Sequence, residues 1–263
     1  MKFGKRSRWV VVPAMLASFG ALNFMPPQAE AWTDQTHMAI ERAAGLAGYQ
    51  NACAPDVSKT VSAINRLKKN DGQAHFFDAS KPPTREDVTA QLDMIGMSRD
   101  DCPDGYILGA IVNATRKAKA WTEMGKFDDY NYAILGHYCG DLSMPLHMSV
   151  YDDFIRKHHL NIDQTLTRKD VKWDVDAVPL ITKEMTVDDS VRFHNEDEII
   201  DYMLQIAGES YDLAQTIRKE NRELTHDEAI QRINRSATFF RALMRYCGKD
   251  ITSDEAVHYV VNH

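Results

Sequence analysis

Glycine and proline are sparse in this 263-residue chain, 13 and 9 respectively, and no stretch is dominated by them. That excludes a collagen-like or low-complexity chain and leaves no flexible linker at which to divide it. No segment repeats at a fixed period, so a solenoid or propeller is excluded too. Strand signals are few. Cysteine is limited to Cys53, Cys102, Cys139 and Cys247, at spacings that match no zinc-finger pattern. They read as bridges or buried thiols and not as ligands, with three pairings open. Only one long apolar run exists, Trp9 to Phe24, and it falls short of the roughly 20 residues a spanning helix needs.

That run belongs to a distinct amino-terminal segment. Lys2, Lys5, Arg6 and Arg8 precede it, and Ala29-Glu30-Ala31 follows it. Basic start, apolar middle and an A-x-A site together predict a secretory signal peptide over residues 1–31 and a secreted or periplasmic protein. The mature chain is then a single domain, 32–263, beginning at Trp32. The segment removed carries four basic residues and one acidic residue, so the formal charge of −7 becomes −10. Such an acidic chain, without a basic stripe, is a poor electrostatic partner for duplex nucleic acid. No stable protein partner is implied.

The mature chain reads as all-α. Ile230, Ile233, Ala237, Phe240, Met244 and Cys247 step by three and four along one helix face. Thr225 with Glu228 is spaced as a capping box at its start, and Gly248 stands where a glycine closes a helix. Helices are also predicted over Asp104 to Gly125, from Thr84 with Asp87 after Pro82-Pro83, from Asn195 to about Lys219, and just after Ala31. Val171 to Leu180 is the least helical part and is expected as a loop with short extended pieces. Glu196-Asp197-Glu198 reads as a solvated first turn favoured by the helix dipole, and Trp121 and Trp173 as core or interface side chains.

The chemistry concentrates in residues 135–147. His137 and Asp141 are four apart and share a helix face, as two ligands of one ion require. Cys139 points the opposite way. Pro145 disturbs the helix before His147, freeing that ring to aim elsewhere. His159 and Asp163 repeat the four-residue spacing. Nitrogen and oxygen donors of this kind suit zinc. His37 and His75 add two imidazoles; His194, His226, His258 and His263 fit no pattern and read as surface residues.

These residues resemble the zinc-dependent phospholipase C and single-strand-specific nuclease superfamily. The resemblance rests on His-Tyr-x-Gly-Asp-x-x-x-Pro-x-His at 137–147, His-Phe-aromatic-Asp at 75–78, a mature amino-terminal Trp followed by a His, and His-x-x-x-Asp at 159–163. It spans residues 32 to 163 in order, and the Ile230–Gly248 helix resembles the family's closing helix. It implies a multi-helix domain with a buried cleft for three zinc ions. Trp32, through its amine and carbonyl, and His37 would hold one ion. Asp141 would bridge it to a second, held by His75 and His137, and His147, His159 and Asp163 would hold the third. The family's further aspartate is matched poorly: Asp56 is the first choice and Asp71 the second. His158 stands beside His159 as an alternative ligand.

The implied activity is hydrolysis of a phosphate ester, with Asp56 as general base and Asp141 at the reacting centre. Phe76 and Asp78 would line the substrate pocket, although buried aromatics are the commoner outcome. A phospholipase C-like enzyme acting on a lipid phosphodiester is the first reading. A single-strand-specific nuclease and a non-catalytic zinc-binding scaffold are the alternatives, and the fold alone decides among none of them.

Overall fold

The computed structural model describes residues 32–64, 71–97, 100–167, 177–249 and 251. The expected signal peptide, Trp173, His258 and His263 lie outside the described residues. Every regular element among the described residues is helical. In order they are α1 (Asp34–Ala44), α2 (Ala54–Ile64), α3 (Arg85–Asp93), α4 (Ile107–Glu123), α5 (Asp129–Ser143), α6 (Asp153–Asp163), α7 (Ala177–Glu184), α8 (Glu196–Glu220) and α9 (His226–Tyr246), with short 3-10 turns at Tyr49–Cys53, Asp71–His75 and Pro145–Met148.

Local chemistry sets the helix starts. Thr84 and Thr225 each form a complete capping box with Asp87 and Glu228, which satisfies amide groups that a helix end leaves open. Asn195 accepts from the Glu198 amide at the start of α8. The buried start of α4 is capped from another helix, because Gln91 Oε1 accepts from the Leu108 and Gly109 amides at 2.8 and 3.2 Å.

Helix α5 is the centre of the molecule. From Asn131 to Ser143 every residue except Ile134 is buried, the mark of a helix enclosed on all sides. It packs against α1, α4, α8 and α9. Gly136 and Gly140 lie on the face that receives α1. A Cβ on Gly136 would stand 2.6 Å from Glu41 Oε1, and one on Gly140 would stand 2.6 Å from His37 Nδ1. These two glycines are what lets α1 approach closely enough to bring His37 to α5.

Two details differ from the sequence expectation, residues 177–180 and Trp121. Residues 177–180 are helical, opening α7: Pro179 falls in the first turn, where its missing amide costs nothing, and Ala177, Val178 and Ile181 are buried. The acidic first turn of α8 is solvated as expected, Asp197 being 80 % exposed, and it also forms surface ion pairs, Glu196 bidentate to Arg116 and Asp197 bonded to Arg85. Trp121 is exposed, not part of the core. All four cysteines are free thiols, three of them buried.

Candidate metal centre

Five predicted ligands converge from four segments. His37 comes from α1, Asp56 from the first turn of α2, His75 from the end of the turn Asp71–His75, and His137 and Asp141 from one face of α5. The four-residue spacing read from the sequence is realised: His137 Nε2 lies 3.2 Å from Asp141 Oδ2. His75 Nδ1 lies 2.8 Å from the same oxygen and 3.1 Å from His137 Nε2. His37 approaches from the other side, its ring stacked on His137 at 3.9 Å between centroids and its Nε2 3.4 Å from Asp141 Oδ1. Asp56 Oδ1 stands 3.6 Å from His75 and 3.7 Å from His137.

Among the described residues two sets of donors fall within 4.8 Å of one another: His37, Asp56 and His137, and His75, His137 and Asp141. Asp56 is thereby placed in the centre; for Asp71 the structure describes only the backbone of its turn. The other predicted ligands sit alongside. His147, in the turn after Pro145, has Nδ1 3.6 Å from Asp141 Oδ1. Its ring lies 5.2 Å from that of His159, whose Nδ1 is 2.8 Å from Asp163 Oδ2. His158 is stacked on Phe154 at 4.4 Å, with its Nδ1 3.7 Å from Glu223. Trp32 is buried with its indole donating to Ser143 Oγ at 3.4 Å. His194 and His226 are exposed.

The protonation states of His37 and His75 suit a cation, whereas at His137 burial, which would lower the ring, is outweighed by Asp141 and Asp56, which raise it. His137 Nδ1 donates to the Ala52 carbonyl at 2.7 Å, so its Nε2 faces the carboxylates, an arrangement typical of metal-binding imidazoles. Burial, and then the neighbouring His137, lower His37; burial and Lys59 lower His75 to about 4. Both rings are therefore neutral near pH 7, the form that binds metal. Burial alone would raise Asp141, but His137 and hydrogen bonds from the surrounding histidines hold it well below the usual carboxylate range. Neither nitrogen of His37 has a hydrogen-bond partner with good geometry, nor does His75 Nε2 or Asp141 Oδ1. Orphaned donors and acceptors at full burial are costly, and a divalent ion would satisfy nitrogen lone pairs and carboxylate oxygens together. The residues present fit a metal ion.

Four neighbours escaped the sequence reading. Lys59 is buried with its ammonium 2.6 Å from Asp56 Oδ1, one turn along α2. Asp34 is half-buried, its carboxyl raised by burial and by Asp56. Glu41 is fully buried on α1 and raised well above the usual range by burial alone, which keeps it neutral. The fourth feature is a cleft between α4 and α5, lined by neither Phe76 nor Asp78. The i,i+3 spacing of Asp56 and Lys59 was the one signal available beforehand.

Phe76 and Asp78 lie in the segment leading from His75. Phe77 donates its amide to the His147 carbonyl and Asp78 its amide to the Asp104 carbonyl, both at 2.8 Å. Burial and the nearby Asp104 raise the Asp78 carboxyl to about 6. An unfolded aspartate titrates near ~4, so the folded state binds the extra proton between those values, and stability falls as pH rises from ~4 to ~6. Asp78→Asn is expected to flatten the pH dependence of urea unfolding over that range and to be the more stable form at pH ~7. An unchanged slope would show that Asp78 is not desolvated.

Comparison with protein-family models, with curated proteins and with solved structures gives no match to this chain. Its class is therefore defined by its own geometry: helical in every regular element of the described residues, with a buried histidine and aspartate cluster that could hold a metal ion.

Proposed function

We propose that the protein is an exported, zinc-dependent hydrolase of phosphate esters, phospholipase C-like in its choice of a lipid or other small phosphodiester. The observation that carries this reading is the convergence of His37, Asp56, His75, His137 and Asp141 on one buried point. Their order and spacing resemble the phospholipase C and nuclease superfamily, which further suggests three ions with Trp32, His147, His159 and Asp163 as additional ligands.

Zinc bound there supplies Lewis acidity towards phosphoryl oxygen and lowers the pKa of an attacking water. The chain's own residues divide the remaining work by exposure. Asp141 is sealed, 0 % exposed, and serves to hold and orient the histidines. The Asp56 side chain is 20 % exposed; burial would raise its carboxyl, but His137, Lys59 and His75 hold it well below the usual carboxylate range, so it serves as an anionic ligand and is a weak proton acceptor. Lys59, buried at 5 % exposure and 2.6 Å from Asp56 Oδ1, adds positive charge to the centre from beneath and does not itself reach substrate. Local cations of this kind answer the electrostatic problem an acidic surface poses for an anionic substrate.

The test is hydrolysis of a chromogenic phosphodiester by the mature protein, before and after chelation and on return of zinc. Chelator-sensitive, zinc-restorable turnover is expected. Metal-replete protein that hydrolyses no phosphodiester would overturn the reading.

A further inference from the structure

We infer that Lys59 is a built-in cation of the metal centre: its ammonium holds the Asp56 oxygen that faces the ligands, which weakens the grip on zinc and strengthens the grip on an anionic phosphoryl group. The inference rests on the metal-centre reading above. Asp56 and Lys59 stand three apart on α2 and share one face of that helix. The ammonium lies 2.6 Å from Asp56 Oδ1, and the lysine side chain is only 5 % exposed. The same oxygen is 3.6 Å from His75 Nδ1 and 3.7 Å from His137 Nε2.

A buried ammonium is costly unless a carboxylate compensates it, and Asp56 does so here. Two features set this pair apart from a structural ion pair. Its carboxylate belongs to a donor set, His37, Asp56 and His137, whose atoms lie within 4.8 Å of one another. The charge of Lys59 is also felt beyond Asp56, by His75 and by the half-buried Asp34. Ammonium and metal ion therefore draw on one carboxylate at one buried point.

The sign of the effect follows from electrostatics. If zinc takes Oδ1 for itself, the lysine loses the partner that compensates its burial. If the two share that carboxylate, they stand as neighbouring like charges, weakly screened where water is scarce. Either way zinc binds less tightly than it would beside a neutral side chain. An anion gains from the same charge, because phosphoryl oxygens drawn to the metal also meet the field of Lys59 from beneath. A lysine that only propped Asp56 in place would act in the opposite sense on zinc: its removal would loosen a ligand and weaken binding.

The experiment measures the zinc affinity of the mature protein, stripped of metal, by competition with a chelating indicator for wild type, Lys59→Met and Lys59→Gln. Binding of inorganic phosphate to each zinc-loaded protein follows. Methionine keeps an unbranched stem without the charge, and glutamine keeps an N–H to donate to Asp56. Both variants should bind zinc about tenfold or more tightly and phosphate about tenfold or more weakly. Unchanged or weaker zinc binding by the variants would overturn the inference and leave the wild-type centre standing. Unchanged or tighter phosphate binding would overturn it equally. Should Lys59→Met fail to fold, Lys59→Gln decides alone. No zinc bound by any of the three proteins would overturn the metal-centre reading, and the inference with it.

Discussion

Asp141→Asn is expected to remove at least one bound zinc ion and to lower phosphodiester hydrolysis more than about a thousandfold. The carboxylate is approached by four imidazoles, those of His37, His75, His137 and His147. An amide keeps its shape and loses the charge that offsets a cation at full burial. Two oxygens able to face two ions become one oxygen and one NH₂ that ligates nothing. The fold is expected to survive, because Leu135, Cys139 and Leu142 on the same helix remain buried in the core. A ligand that binds only the folded state stabilises it by mass action, so thermal unfolding separates the effects. Chelation should lower the melting temperature of wild type markedly and that of the variant little. A variant that retains its zinc and its chelator response would remove Asp141 from the centre.

The second large effect comes from a single methyl group. Gly140→Ala places a Cβ 2.6 Å from His37 Nδ1 and 2.8 Å from its Cε1, inside any allowed contact. The ring is stacked on His137 and fully buried, so it has no open side to move into. Either His37 tilts or α1 retreats from α5, and both separate His37 from Asp141. Zinc affinity is expected to fall at least about tenfold, the scale seen when support of a ligand is disturbed. Gly208→Ala is the matched control: it is also helical, nothing lies within 4 Å of its added Cβ, and removing backbone freedom there should leave stability equal or raised by up to ~1 kcal/mol. Isothermal titration of the metal-free proteins reads both. Equal affinities would mean that α1 and α5 are free to adjust.

The sequence was most legible where the signal is local. The capping boxes of α3 and α9 involve residues three apart, and both starts were readable from Thr84 with Asp87 and Thr225 with Glu228. His137 and Asp141 were readable for the same reason, since one turn of helix fixes their relation. What joins distant segments was far less so. Asp56 and Asp71 could not be separated by spacing, whereas packing of α2 against the turn at Asp71–His75 sets Asp56 beside His75. The surface pair of Glu196 with Arg116 was not legible because the two lie 80 positions apart. Gly140 stands in the block that carries the resemblance, but the spatial purpose of Gly136 and Gly140 exists only in the presence of α1. The cleft between α4 and α5 was invisible because hydrophobic periodicity reports which face of a helix is buried and not where two helices part.

The measurement that bears most directly on the central claim is the zinc content of the mature protein, purified without added metal or chelator, by elemental analysis against protein concentration. The account predicts zinc, about three ions per chain by resemblance to the superfamily, removable by chelation together with the stabilisation and the phosphodiesterase activity, and reduced in Asp141→Asn. Correctly processed protein that contains no zinc, gains no stability when zinc is added and hydrolyses no phosphodiester would contradict it, leaving His37, Asp56, His75, His137 and Asp141 as a polar core with no metal to serve.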